Sequence, residues 1–220
     1  MNFIYDPSLV LYLPLHKLDG GSFMSGDAYG HVCTVTGATW GFQGRYFDGN
    51  DDYINVGAKI SPSSGGRSYG LWIKIPAVSA NNCLFDECNY AKANNGHTFA
   101  LDASGGLYAY HAAAAGTANF NTGDVSATEV DDDVWHNVWF TWDGLTTVNG
   151  VSVYIDGALD VQNTANAAAT NAPTFDMQIG AGATQQNDLT GIIGEVVGYN
   201  RALNALEIQR NYMATKWRYR

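Results

Sequence analysis

Three groups of residues in this chain have the types and spacing to do chemistry. The first is "RYFDGNDDYINVG" (45–57), where Asp48, Asp51 and Asp52 crowd between two runs that read as strand. Carboxylates this close admit a calcium site, a catalytic site or a tight turn under strain. Calcium takes about six to eight hard oxygens converging from separated segments. A turn needs only side chains that bond local backbone and a residue that tolerates positive φ. The segment reads mainly as turn chemistry, with Asp48 and Asn50 bonding backbone and Gly49 taking the positive φ. A bound calcium is the second expectation, with Asp48, Asp51 and Asp52 as its ligands.

The second group is acidic pairs. Retaining glycoside hydrolysis needs two carboxyls about 5 Å apart, which on a strand means positions i and i+4. "EVDDDV" (129–134) offers Glu129 and Asp131 but ends in Val134, and it leads into a strand rather than forming one. "FDEC" offers only adjacent Asp86 and Glu87, which on a strand point to opposite faces. No Ser-centred elbow, phosphate loop or paired-His motif occurs. The chain is therefore expected not to be an enzyme.

The third group suits sugars, which are held by aromatic faces and planar polar side chains. "ECNYAKANNGH" (87–97) and "LYAYHA" (107–112) supply them. The expected carbohydrate-binding residues are Asn89, Tyr90, Asn94, Tyr108, Tyr110 and His111. For Tyr108 and Tyr110 the alternative is equally open: two rings on one strand face that simply cover a sheet.

Composition sets the frame for these groups. The chain has 220 residues, 46% hydrophobic and only 15% charged, with 25 glycines. That excludes a disordered chain and suits many strands joined by turns. Its net charge of −10 is a poor match for phosphate backbones, so nucleic acid is not an expected partner. No apolar run reaches the length of a membrane span. The N-terminal "MNFIYDPSLVLYLPL" has neither a basic start nor a small-residue cleavage site, so no signal peptide is recognised. Cys33, Cys83 and Cys88 are too few for a disulfide framework and are expected as unpaired thiols, a local Cys83–Cys88 bridge remaining open.

Strand patterns recur at 9–15, 31–36, 44–47, 52–56, 68–75, 82–87, 97–102, 106–111, 135–142, 150–155, 175–179 and 191–199. The stretches 112–134 and 158–174 read as long loops. The one helix expected is terminal: in "ALNALEIQRNYMATKW", Asn204 and Glu207 form a capping box, Leu203 and Ile208 a hydrophobic staple. Leu206 and Tyr212 extend its apolar stripe. This predicts an all-β sandwich or jelly roll in a single domain, 1–220, with a short C-terminal helix.

The order of motifs then carries a resemblance. "LVLYLPLHKLDG", "VTGATWGFQGRYFDGNDDYINVG", "SYGLWIKI", "VWHNVWFTWDG", "VSVYIDGAL" and "GIIGEVVGYNRALNALEI" resemble, in sequence, the laminin G-like and pentraxin-like group of concanavalin A-like lectin/glucanase domains. The resemblance covers nearly the whole chain and implies a jelly roll of two curved antiparallel sheets. It implies that His136, Trp135, Trp139 and Trp142 are structural. Related hydrolases carry Glu-x-Asp-x-x-Glu, which this chain lacks. Where the family usually has Asp in "G-x-I-D-E-V", this chain has Gly194, which weakens an inherited calcium site. The ends "DPSLVLYLPL" and "NYMATKW" also look like versions in phage and environmental sequences.

Together these readings predict a non-catalytic glycan-binding or adhesion module, extracellular or on a virion surface. Its partners would be a glycan or cell-surface polysaccharide, other virion proteins, or a second copy. The alternative is a purely structural virion decoration or assembly part. The tail "KWRYR" bears on the choice. The last dozen residues hold four of the 11 cations and no acid, leaving seven cations against 21 acids elsewhere. That tail is expected to dock on acidic surface, with a lean towards an assembly interface.

Overall fold

The computed structural model describes residues 6–88, 95–114, 117–121, 126–166, 168–169 and 171–220. Its strands are β1 (Leu9–Leu13), β2 (Ser22–Met24), β3 (Val32–Thr36), β4 (Thr39–Gly41), β5 (Gly44–Asp48) and β6 (Tyr53–Asn55). Then follow β7 (Arg67–Lys74), β8 (Asn82–Asp86), β9 (Gly96–Leu101), β10 (Leu107–Ala114) and β11 (Thr117–Asn121). The last are β12 (Trp135–Trp142), β13 (Val151–Ile155), β14 (Ala158–Asn163), β15 (Gln178–Ile179) and β16 (Thr190–Tyr199). Helix α1 (Ala205–Thr215) and a 3₁₀ turn, Lys216–Arg218, close the chain.

Two antiparallel sheets face each other, the jelly-roll sandwich that the strand pattern predicts. One runs β14-β13-β12-β7-β16-β5-β4, with β1 also on β16; the other runs β11-β10-β9-β8-β15-β6-β3-β2. Between them, Leu71 and Ile73 of β7, Phe85 of β8, Phe99 of β9 and Phe140 and Trp142 of β12 are buried. Each such side chain removed from water stabilises the fold by about 1.5–3 kcal/mol.

The first sheet is covered on its other face too, so β7 is buried along nearly its whole length instead of alternating with solvent. Trp139, Tyr154, Tyr199, Leu203 and Ile208 form that second layer under α1. The helix starts as its sequence dictates: Asn204 accepts from the Glu207 amide, and Glu207 reaches back to the Asn204 amide. Ile208 is buried, but Leu206 is 63% exposed and lies off the apolar stripe. His136 is held between Asp156 and Asp132, which together raise its pKa, the Asp156 bond most.

Two expectations fail at sheet edges. The stretch 112–134 contains the end of β10 and all of β11, and 158–174 begins with β14. Strand β14 hangs on β13 alone and shows no clean inward–outward alternation, so periodicity has nothing to detect. The three cysteines are free and buried.

Candidate functional site

The acidic turn between β5 and β6 is built by local bonds. Asp48 Oδ1 accepts from the Asn50 amide at 2.8 Å, while Gly49 and Asp51 take φ of 86° and 56°. Asp52 is buried and accepts from the Asp48 amide at 2.8 Å, and Asp188 accepts from the Asp51 amide at 3.2 Å. Burial, reinforced by Asp48, Asp51 and Asp188, raises the Asp52 carboxyl above its ordinary range against that amide bond. Asp48, Asp52 and Asp188 are thus turned to separate backbone donors, while the exposed Asp51 carboxylate meets only the Asn50 side-chain amide at 3.5 Å. Among the described residues no three His, Cys, Asp or Glu side chains are placed to hold a metal ion. The fit to calcium is poor.

Strands β8, β9 and β10 carry the sugar-binding candidates, of which Asn89, Tyr90 and Asn94 lie outside the described residues. Tyr108 is half-buried. Tyr110 is 1% exposed, bonded to Thr98 and Cys88 on the outer side of its sheet. His111 is fully buried on the opposite face, its ring 4.3 Å from His97 and 5.0 Å from Trp142. Burial, then the charge of Arg67, pushes its imidazole down to about 3. Neither Tyr110 nor His111 presents a ring to solvent; β10 is covered on both faces at these two positions, so strand alternation alone could not identify an open face.

Of the acidic pairs, Asp86, Glu87 and Asp131 are engaged by protein donors, and Glu129 is exposed. Asp86 faces outward, accepting from Thr98 Oγ1 and the Ala183 amide. Glu87 faces inward, accepting from the amides of Ile60 and Ser61 and from Ser61 Oγ, which also bonds Tyr69. Complete burial raises its carboxyl to about 7. Asp131 accepts from the Val78 amide at 2.9 Å.

An open site lies elsewhere, on the outer side of the first sheet, where β16 changes partner. β16 pairs with β5 up to Ile193↔Arg45 and with β1 from Val196↔Leu13, and its register against β7 shifts between Ile193 and Glu195. Gly194 and Glu195 fall between the two ladders. His16 follows β1 on one side of this break; the two-residue turn Phe42–Gln43, closed by Gly41↔Gly44, precedes β5 on the other.

The C-terminal tail docks into the break. Tyr219 is 5% exposed and stacks on Trp72 at 4.5 Å and packs on Trp135 at 4.7 Å. Arg218 donates to Glu195 at 2.8 Å, where Tyr12 also donates at 3.3 Å. Burial raises the Glu195 carboxyl, opposed by Arg218 and the Tyr12 bond. The tail therefore docks on its own chain, where one of its cations meets a single buried carboxylate, Glu195.

What remains open is a cleft of about 480 Å³ lined by His16, Lys17, Phe42, Gln43, Trp217, Arg218 and Tyr219. Its size falls within the range of small-molecule sites, about 300–1,000 Å³. Phe42 is 76% and Trp217 67% exposed. The indole is fixed, donating to the Ala214 carbonyl at 3.0 Å with the Arg218 guanidinium 5.2 Å from its centroid. None of these residues was singled out as a sugar ligand from the sequence. The available signals were a bulky ring at a turn tip in "GFQG" and an indole between cations in "KWRYR".

The Laminin_G_3 family of the concanavalin A-like lectin/glucanases superfamily matches residues 48–209. The chain belongs to this family. No curated protein matches this Laminin_G_3 chain by sequence. Among solved structures, the binding domain of botulinum neurotoxin DC, in complex with rat synaptotagmin II, has a TM-score of 0.70 at 15% identity. That likeness covers 94% of this chain and 51% of the toxin domain. The Trypanosoma rangeli sialidase gives 0.70 at 18% identity, covering 98% of this chain and 34% of the sialidase. At such identities the likeness shows the fold alone, and the chain spans about half of the toxin domain and about a third of the sialidase.

Proposed function

We propose that this Laminin_G_3 domain is a non-catalytic carbohydrate-binding module that attaches its bearer to a glycan or cell-surface polysaccharide. The observation that carries the reading is the cleft flanked by Phe42 and Trp217. Two bulky apolar rings held open to water, one of them pinned by a hydrogen bond, are what a sugar's CH face stacks against. Gln43 beside them supplies a planar amide for hydroxyls. Structural neighbours give the reading a setting: one botulinum neurotoxin binding domain is in complex with SialylT, and type C neurotoxin depends on interaction with two ganglioside molecules to get into cells. Tyr108 and the segment holding Asn89, Tyr90 and Asn94 offer a second contact region. Display outside the cell or on a virion surface fits the adhesive role and the phage-like ends of the sequence.

Absence of catalysis belongs to the same proposal. Asp86 and Glu87 are turned to opposite faces and buried, and Asp131 is engaged by a backbone amide. The test is affinity electrophoresis of the purified chain against a polysaccharide panel, with reducing-sugar release measured in parallel. Retardation that is lost in Trp217→Ala supports binding at the cleft. No retardation by any polysaccharide, or sugar release lost on changing Glu129 or Asp131, overturns the reading.

A second reading, a structural assembly part, is favoured by one feature. Met24, Tyr29 and Val32, at the β2–β3 edge, are 63%, 60% and 63% exposed. Sedimentation velocity of the wild type and of Met24→Lys separates the two: a concentration-dependent oligomer lost in the variant supports assembly.

A further inference from the structure

We propose that the cleft is a site for an acidic saccharide, its carboxylate or sulfate received by Lys17 and Arg218 while a sugar ring lies on Trp217. The inference rests on the glycan-binding reading above and adds the ligand's charge. Three observations carry it.

The first is charge placement. The chain is strongly acidic overall, yet Lys17 and Arg218 stand together in this one cleft, with Lys216 and Arg220 beside them in the tail. A body of net charge −10 repels a polyanion at long range, so contact with one requires a local cationic site.

The second is pre-organisation. The Glu195 bond fixes the Arg218 guanidinium, whose five N–H groups are more than that contact uses. Held against the Trp217 ring, it sets a cation and an apolar face side by side. That pairing matches a sugar bearing an anionic substituent: ring on indole, anion on guanidinium. A fixed pair loses little freedom on binding.

The third is His16. Its Nδ1 lies 3.5 Å from the Gly194 carbonyl, while its Nε2 is shielded from solvent and has no hydrogen-bond partner among the described residues. The ring lines the cleft while that nitrogen lies behind its surface, so protonating His16 adds a third positive charge beside Lys17 and Arg218.

The test uses the full chain in native gels containing polygalacturonate, the same polymer fully methyl-esterified, or polyglutamate. Polygalacturonate should retard the protein, with the ester at least about tenfold weaker and polyglutamate weaker still. Lys17→Gln should weaken retardation about three- to fivefold. Trp217→Ala, or Phe42→Ala if the first variant is unstable, should weaken it by more than about tenfold. Each variant's melting temperature is measured alongside. Equal retardation by acid and ester overturns the acidic specificity and leaves glycan binding standing. Equal retardation by polyglutamate overturns the saccharide, leaving a cleft that reads charge alone. Polygalacturonate binding unchanged by all variants places it elsewhere and overturns the site. No retardation by any polysaccharide, charged or neutral, overturns glycan binding itself.

Discussion

The ring of Tyr219 occupies the space that a side chain at Gly194 would fill. A Cβ built on Gly194 would stand 2.3 Å from Tyr219 Cε1, well inside any real contact. The family's usual Asp at this place is thus incompatible with the docked tail. The departure from the family pattern and the docking of "KWRYR" are one event seen from two ends of the chain.

Gly194→Asp should therefore expel the tail. Tyr219 would leave Trp72 and Trp135, and Glu195 would lose Arg218. Losing the ring's burial and the pairing should cost about 2–5 kcal/mol. Urea unfolding and a red shift of tryptophan fluorescence check it. A variant with wild-type stability would show that the tail contributes nothing to the fold. Removing residues 216–220 should reproduce the loss.

Glu87 predicts how stability varies with pH. Its carboxyl is raised from 4.5 to about 7 by burial, so the folded state holds its proton more tightly than the unfolded state does. Stability is then greatest below about pH 4.5 as far as this group is concerned. It falls by roughly 3 kcal/mol as pH climbs through 7. Glu87→Gln can keep the bonds: its oxygen accepts from the Ile60 and Ser61 amides, and its amide donates to Ser61 Oγ. Denaturation at pH 5 and pH 8 should show a smaller pH difference in the variant. An unchanged difference would mean Glu87 is ionised in the fold without penalty.

His16 predicts the pH dependence of binding. In the free protein burial lowers its pKa below 6.5, and the neighbouring charges of Arg218 and Lys17 push the same way against the Gly194 carbonyl. A bound anion offsets those charges and raises the pKa, so binding takes up a proton. Polygalacturonate retardation should strengthen as pH falls from about 7 to 5, and His16→Gln should flatten the trend. A trend that survives in His16→Gln would assign the proton to another group.

Calcium should have little effect. Asp48, Asp52 and Asp188 each serve a separate backbone amide in this turn. Melting in excess calcium and in chelator should agree within about 1 °C. A chelator-sensitive drop abolished by Asp51→Ala would establish a metal site there.

Local chemistry was legible in the sequence, and remote convergence was not. The capping box at Asn204 and Glu207 needs only neighbours three residues apart, and the strand at 151–155 announces itself by alternation. Strand β14 could not be read, because an edge strand with little buried surface has no periodic signal. For Tyr110 the sequence left a sugar face and a covered sheet equally open, and nothing in "LYAYHA" reveals that Tyr110 and His111 are both buried, on opposite faces. The cleft was out of reach for a different reason. It joins residues 16–17, 42–43 and 217–219, and what brings them together is a change of partner along β16.

That change of partner also dictates when this fold can be completed. β1, buried at all five positions, pairs with β16 alone, and Tyr12 reaches Glu195 across 183 residues of chain. At about 5–20 residues per second, its ladder partner leaves the ribosome roughly 10–40 s later. Through that interval "LVLYL" is an unpaired strand on a nascent chain, apolar but for the Tyr12 hydroxyl. Only the arrival of β16 covers it.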